Sequence, residues 1–192
     1  SKFLYAMLKI LLPLLPIHEE IILDSIKDLL ITKNKIYSEN LTTTNVALNL
    51  AKWIKNIPVI YYPDGLQASA IRFKNSLQEN SKIHVIAEDV IEASHNGIVP
   101  WVKDNNLQPI LIKGGNDFIK TKERWGILEE FLCKESIDFK EIVASEKGIL
   151  SKLVNLIYLL DYVSIYKAIL ENTDPTPVDA IDFIKNRLFQ LQ

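Results

Sequence analysis

Three side chains in this sequence stand where proton chemistry is possible. Glu79 and His95 are sixteen positions apart, and Lys185 follows near the carboxyl end. Glu79 falls in the turn that ends a helix predicted over residues 67–78. The macrodipole presents negative charge there, so a carboxylate keeps its proton more readily, as suits a general base near neutral pH. His95 lies in Ser94-His95-Asn96, which opens the next predicted helix. A helix start disfavours imidazolium and leaves the ring able to accept and to donate a proton. Lys185 is seven after Val178, four after Ile181 and three before Leu188, inside an apolar stripe where its charge needs a reason. Each has a plainer reading: Glu79 as a solvated surface residue, Ser94 or His95 as a helix cap, Lys185 as a chain snorkelling from the rim of the core.

Other groups are weaker. His84 lies in an apolar run and reads as a core or edge residue, and His18 precedes an acidic helix. Arg72 and Lys74 flank Phe73 and suit an anionic ligand or a solvated face equally. Gly114-Gly115-Asn116-Asp117 ends a strand and opens a helix, so its backbone N–H groups are candidates for an anion. It is not a dinucleotide fingerprint or a P-loop. Trp53, Trp101 and Trp125 read as packing residues, and no Ser-His-Asp or Cys-His arrangement follows from spacing.

The elements that must position these groups alternate. Strands are predicted at 59–62, 83–87, 107–113 and 139–144, and helices at 67–78, 118–133 and 150–170. Such alternation means a parallel sheet covered on both faces: a three-layer αβα sandwich of the flavodoxin-like kind. Helical patterns at 3–15, 19–31 and 45–53 precede it, with a polar stretch at 32–44 as the best boundary. The predicted division is a helical linker segment over 1–40 and an α/β domain over 41–192. The last helix is expected to start with Thr176 as N-cap and Pro177 at its first position, Asp179 nearly completing a capping box.

With 48% hydrophobic and 24% charged residues, the 192-residue chain can bury a core. A net charge of −2 gives no electrostatic case for nucleic acid. The single Cys133 excludes an internal disulfide and a multi-thiolate metal site, and a reducing, cytoplasmic setting is the default. Three histidines without a nearby carboxylate cluster argue against zinc, and no metal is expected. The apolar run 3–17 falls short of the roughly 20 residues that span a bilayer, and Lys9, Pro13 and Pro16 interrupt it. It reads instead as a helix that packed on residues preceding it, so no membrane partner is expected.

Ile57-Pro58-Val59-Ile60-Tyr61, Ala70-Ile71-Arg72-Phe73-Lys74-Asn75, Glu79-Asn80-Ser81-Lys82 and His95-Asn96 together resemble the second half of the archaeal-type bifunctional phosphoglucose/phosphomannose isomerases, of the sugar isomerase (SIS) superfamily. The closing Asp174-Pro175-Thr176-Pro177-Val178, with Ile181 and Lys185, is similar to that family's last segment, and 3–15 to the helix joining its two SIS domains. The resemblance implies aldose–ketose isomerisation of a hexose 6-phosphate through an enediolate, without cofactor. It implies Glu79 as the base between C1 and C2, and His95, reaching in from a neighbouring subunit of a homodimer, with Lys185, as helpers in ring opening. It also implies a missing N-terminal SIS domain holding the main phosphate loops, and hence poor catalysis by this chain alone. The family's HNE is His95-Asn96-Gly97 here, the glycine that follows is Pro100, and Gln78 and Ser81 replace asparagine and alanine. A non-catalytic sugar-phosphate-binding module, or a truncated dimerisation domain, is the alternative.

Overall fold

A computed structural model describes residues 2–103 and 106–191. Its centre is a four-stranded, all-parallel sheet of β1 (Ile57–Tyr62), β2 (Ile86–Asp89), β3 (Leu107–Gly114) and β4 (Lys140–Ala144), in the order β2-β1-β3-β4. Pro58 and Pro109 fit because each lies one residue ahead of the point where the outer neighbour starts to pair, at Val59 with Ile86 and at Ile110 with Lys140.

Strand residues alternate between faces, and each face has its own core. On one face Ile60, Tyr62, Ile110 and Ile112 meet α3 (Val46–Trp53), α4 (Gln67–Ser81) and α7 (Ile149–Leu170) through Leu50, Phe73, Leu77 and Leu160. On the other, Val59, Tyr61 and Leu111 meet Trp125, Leu128 and Leu132 of α6 (Ile119–Lys134), and Val90, Ala93 and Trp101 of the β2–β3 connection. That connection is irregular: α5 (Val90–Glu92), a π-helical turn (Ala93–Gly97) and a 3-10 turn (Val99–Val102). By length and composition α7 could cross a bilayer, but Val154, Leu156, Leu160, Val163, Tyr166 and Ala168 are buried in the core.

The three-layer parallel architecture is as expected, with local corrections. The polar stretch expected from residue 32 is still helix, since α2 (Glu19–Ile36) continues until Ile36 is buried. Thr32 on α2 bonds to Asn155 of α7, and Tyr166 Oη donates to the Ile36 carbonyl at 2.7 Å. Tertiary partners override the composition. β2 starts at Ile86 rather than 83, because Lys82 turns left-handed (φ 57°) and the chain straightens only after it. His84 therefore precedes the strand and is exposed.

The last helix, α8 (Asp179–Gln190), is not capped by Thr176. Asp174 Oδ1 instead accepts the Thr176 N–H at 2.9 Å, forming an Asx turn ahead of the helix. Its apolar stripe is not buried either, with Ile181 42%, Ile184 58% and Leu188 58% exposed. Lys185 thus lies on an uncovered helix and not in a packed stripe. At the other end, Phe3, Ile10 and Leu14 of α1 (Lys2–Leu11) and the turn after it are also exposed.

Candidate active site

The four residues Glu79-Asn80-Ser81-Lys82 divide their work. They form the end of α4, which lies along α7 as a polar seam. Arg72 donates through Nε and Nη2 to Asp161 at 3.1 and 3.2 Å, and Ser76 Oγ donates to the same carboxylate at 2.6 Å. Asn80 Nδ2 donates to Ser164 Oγ at 2.8 Å, and Ser81 Oγ to the Ser164 carbonyl at 2.7 Å. Lys82 Nζ donates to the carbonyls of Glu79 at 2.5 Å and Pro177 at 2.6 Å. Asn80, Ser81 and Lys82 are therefore all engaged by structure. The Glu79 side chain is exposed and makes no hydrogen bond or ion pair among the described residues, so its carboxylate is free. Arg72 registers its charge. Its guanidinium is shifted upward chiefly by Asp161, with a smaller part from Glu79. Arg72 thus belongs to the seam and not to an open anion site.

His95 sits on the opposite face of the sheet. The helix there starts at Val90, with Asp89 as its cap through Oδ1 to the Ile91 N–H at 2.8 Å. Ser94 and His95 are therefore not at the helix start, and the dipole argument for a neutral ring does not apply to them. Ser94 Oγ donates to the Val90 carbonyl at 2.6 Å. Below the turn, Trp101 Nε1 donates to Tyr61 Oη at 2.7 Å, and Tyr61 Oη donates on to the Gly97 carbonyl at 3.5 Å. Trp101 and Tyr61 are buried, so the bond between them lies away from water. Burial pushes the Tyr61 phenol up, the Trp101 bond opposes this, and the Glu88 charge adds to it. Glu88 packs its carboxyl where a side chain at Gly97 would emerge, and is itself pushed up by burial, then by Glu92 and Asp89. A groove of about 400 Å³ between this turn and α6 is lined by Ser94, Ile98, Lys120, Glu123, Arg124 and Phe131, among others.

The carboxyl edge of the sheet holds one more expected feature, and the structure corrects it. Strand order reverses between β1 and β3, where open α/β sheets usually bind ligands. The Gly114–Asp117 loop ends β3 there, but the N–H groups of Gly114, Gly115 and Asp117 are taken. Gly114 N–H donates to Asp117 Oδ2 at 2.9 Å, and Gly115 N–H to the Ala144 carbonyl at 3.1 Å. Trp125 Nε1 also donates to Asp117, at 3.1 Å. The chain's own carboxylate fills the place suggested for an anion.

Within one chain, then, Glu79 and Lys82 share a corner with the entry to α8, while His95 stands across the sheet. Sequence reasoning singled out Glu79 and gave no separate part to Lys82, Tyr61 or Glu88. The only signal for them was their place beside Glu79, at the end of β1 and before the His95 turn. Among the described residues, no group of three or more His, Cys, Asp and Glu side chains is arranged to hold a metal ion.

Comparison with known proteins fits this framework. Residues 43–188 match the family described as the bacterial phospho-glucose isomerase C-terminal SIS domain. A bifunctional phosphoglucose/phosphomannose isomerase of Caldicellulosiruptor bescii is 31% identical over 150 residues, covering 76% of this chain and 44% of that protein. Its counterpart in Thermoplasma acidophilum is 30% identical over 157 residues, covering 81% and 48%. This chain thus spans less than half the length of these curated relatives. A glucose-6-phosphate isomerase like protein of Thermus thermophilus superposes with a TM-score of 0.65 at 19% identity, over 82% of this chain and 52% of that one. A match that takes in the whole sheet, the Glu79 seam, the His95 turn and most of α8 leaves one conclusion: the chain belongs to the family of bacterial phospho-glucose isomerase C-terminal SIS domains.

Proposed function

We propose that this chain is the C-terminal half of an enzyme that interconverts aldose and ketose hexose 6-phosphates. Its relatives are named phosphoglucose/phosphomannose isomerases. The observation that carries the reading is Glu79, left free while Asn80, Ser81 and Lys82 are bound into the structure. In the proposed reaction the Glu79 carboxylate takes the proton from C2 of the open-chain aldose, and the C1 carbonyl oxygen becomes an enediolate oxygen. The same carboxyl returns the proton to C1, and the C2 oxygen becomes the ketone. As it does so the C2 hydroxyl gives up its proton and the C1 oxygen takes one up, so one proton moves between the carbons, one between the oxygens, and no electron carrier is needed.

His95 and Lys185 are proposed to assist ring opening. Glu79 is carried by α4 on one face of the sheet and His95 by the turn on the other, which supports a site completed by a second chain. A homodimer in which the neighbouring subunit lends the imidazole meets that geometry. The substrate phosphate needs an anchor, and the β3–α6 loop is filled by Asp117, which supports the reading that a missing N-terminal SIS domain supplies it.

The test is conversion of fructose 6-phosphate to glucose 6-phosphate by this chain and by a longer form of the protein. The longer form should be active and the chain alone a poor catalyst. Glu79→Gln in the longer form should lower kcat roughly 10²–10⁴-fold, the usual worth of a general base, and should stop deuterium uptake from solvent at the sugar carbon. A Glu79→Gln protein with near-normal rate and exchange would remove this residue from the role.

A further inference from the structure

Lys82 is where two distant parts of the chain meet. Its ammonium donates to the Glu79 carbonyl at the end of α4, and to the Pro177 and Pro175 carbonyls, at 2.6 and 3.4 Å, in the segment that leads into α8. A cation at a helix C-terminus is favoured by the carbonyls that have no partner there. Lys82 holds this position with a left-handed backbone (φ 57°), which glycine or asparagine adopts more easily. The Asp174 carboxyl beside it is held below the usual range, first by the Thr176 bonds and in smaller part by the Lys82 charge. Beyond Val178 the apolar residues of α8 are exposed, so among the described residues nothing covers the helix along its length.

We infer that Lys82 is a positioning residue: it ties the start of α8 to the end of α4 and so sets Lys185 relative to Glu79. Lys185 is seven residues past Val178, roughly 10 Å along the helix axis at 1.5 Å per residue, so the direction in which α8 leaves the tie decides where its ammonium stands. The part concerning Glu79 rests on the function proposed above, whereas the tie itself does not.

Two measurements test it. Lys82→Gly removes the ammonium while suiting the backbone, so the protein should fold, and Lys82→Arg keeps a donor. In the chain with Cys133→Ser, spin labels at Ile169→Cys on α7 and Asn186→Cys on α8 should give a narrow distance distribution. Lys82→Gly should widen it at least twofold, and Lys82→Arg should leave it narrow. An unchanged width in the glycine variant overturns the tie. In the longer, active protein, Lys82→Gly should lower kcat at least tenfold with KM within about threefold, and Lys82→Arg should recover most of the rate. A widened distribution with normal kcat overturns the positioning role. If the unaltered longer protein converts no hexose 6-phosphate, the proposed function falls, while the spin-label result still decides whether Lys82 holds α8.

Discussion

The seam that bears Glu79 and the turn that bears His95 lie on opposite faces of one sheet and are built differently. Glu79 stands on a 15-residue helix packed along a 22-residue one, and their contact combines Phe73, Leu77 and Leu160 with four side chains bonded to Asp161 and Ser164. His95 stands on a five-residue π turn between short helices, tied to the sheet by Tyr61, which accepts from Trp101 and donates to the Gly97 carbonyl. A group on a long helix inherits its position from many partners. A group on a short irregular turn depends on one or two.

The sharpest way to break the comparison is in the core beneath the seam. Phe73→Ala should cost about 3–5 kcal/mol by the usual worth of a buried phenylalanine, and should unfold the whole domain in one transition in urea, because the side chain is fully buried in the larger core. A local loss confined to α4 would show that the seam is a separate unit. Across the sheet, Tyr61→Phe removes the acceptor of the Trp101 indole N–H and leaves that donor buried without a partner, for about 1–3 kcal/mol. Amide exchange at Ala93–Gly97 should speed up far more than exchange in α4. Equal changes in both would mean that the turn is as broadly supported as the seam.

The smallest effect concerns pH. Glu88 beside the turn holds its proton above the ordinary glutamate range, first through burial and then through Glu92 and Asp89. The unfolded chain gives up that proton at lower pH than the folded one. The folded state therefore loses stability as pH rises from the ordinary range through the raised one. Glu88→Gln should remove that loss, so its urea midpoint relative to the unaltered chain should climb as pH rises from the ordinary glutamate range through the raised one. A difference that stays flat across that range would mean the carboxyl is no less comfortable in the fold than in water.

Much of this was legible in the sequence, and what was not has a common cause. The alternation of strands and helices, the two-sided core and the place of Glu79 followed from local pattern. The length of α2, the start of β2 and the entry to α8 did not. α2 is prolonged by bonds to Asn155 and Tyr166, and the turn before α8 is held by Lys82 from 93 and 95 positions away. The Gly114 loop reads as open to an anion because Asp117, three residues on, gives no sign in sequence that it folds back onto the Gly114 N–H. Lys185 reads as buried because its stripe is apolar, although among the described residues nothing covers it. Periodicity states which residues want cover and leaves open what provides it.

A rod gripped at one end acts as a lever. α8 is twelve residues long, about 18 Å at the helical rise, so a swing of roughly 10° at the three carbonyls around the Lys82 ammonium would carry its far end about 3 Å. Glu79, anchored on the rigid side of that grip, would barely move. Small adjustments at a solvent-facing corner can thus be magnified into the approach or withdrawal of a distant amine.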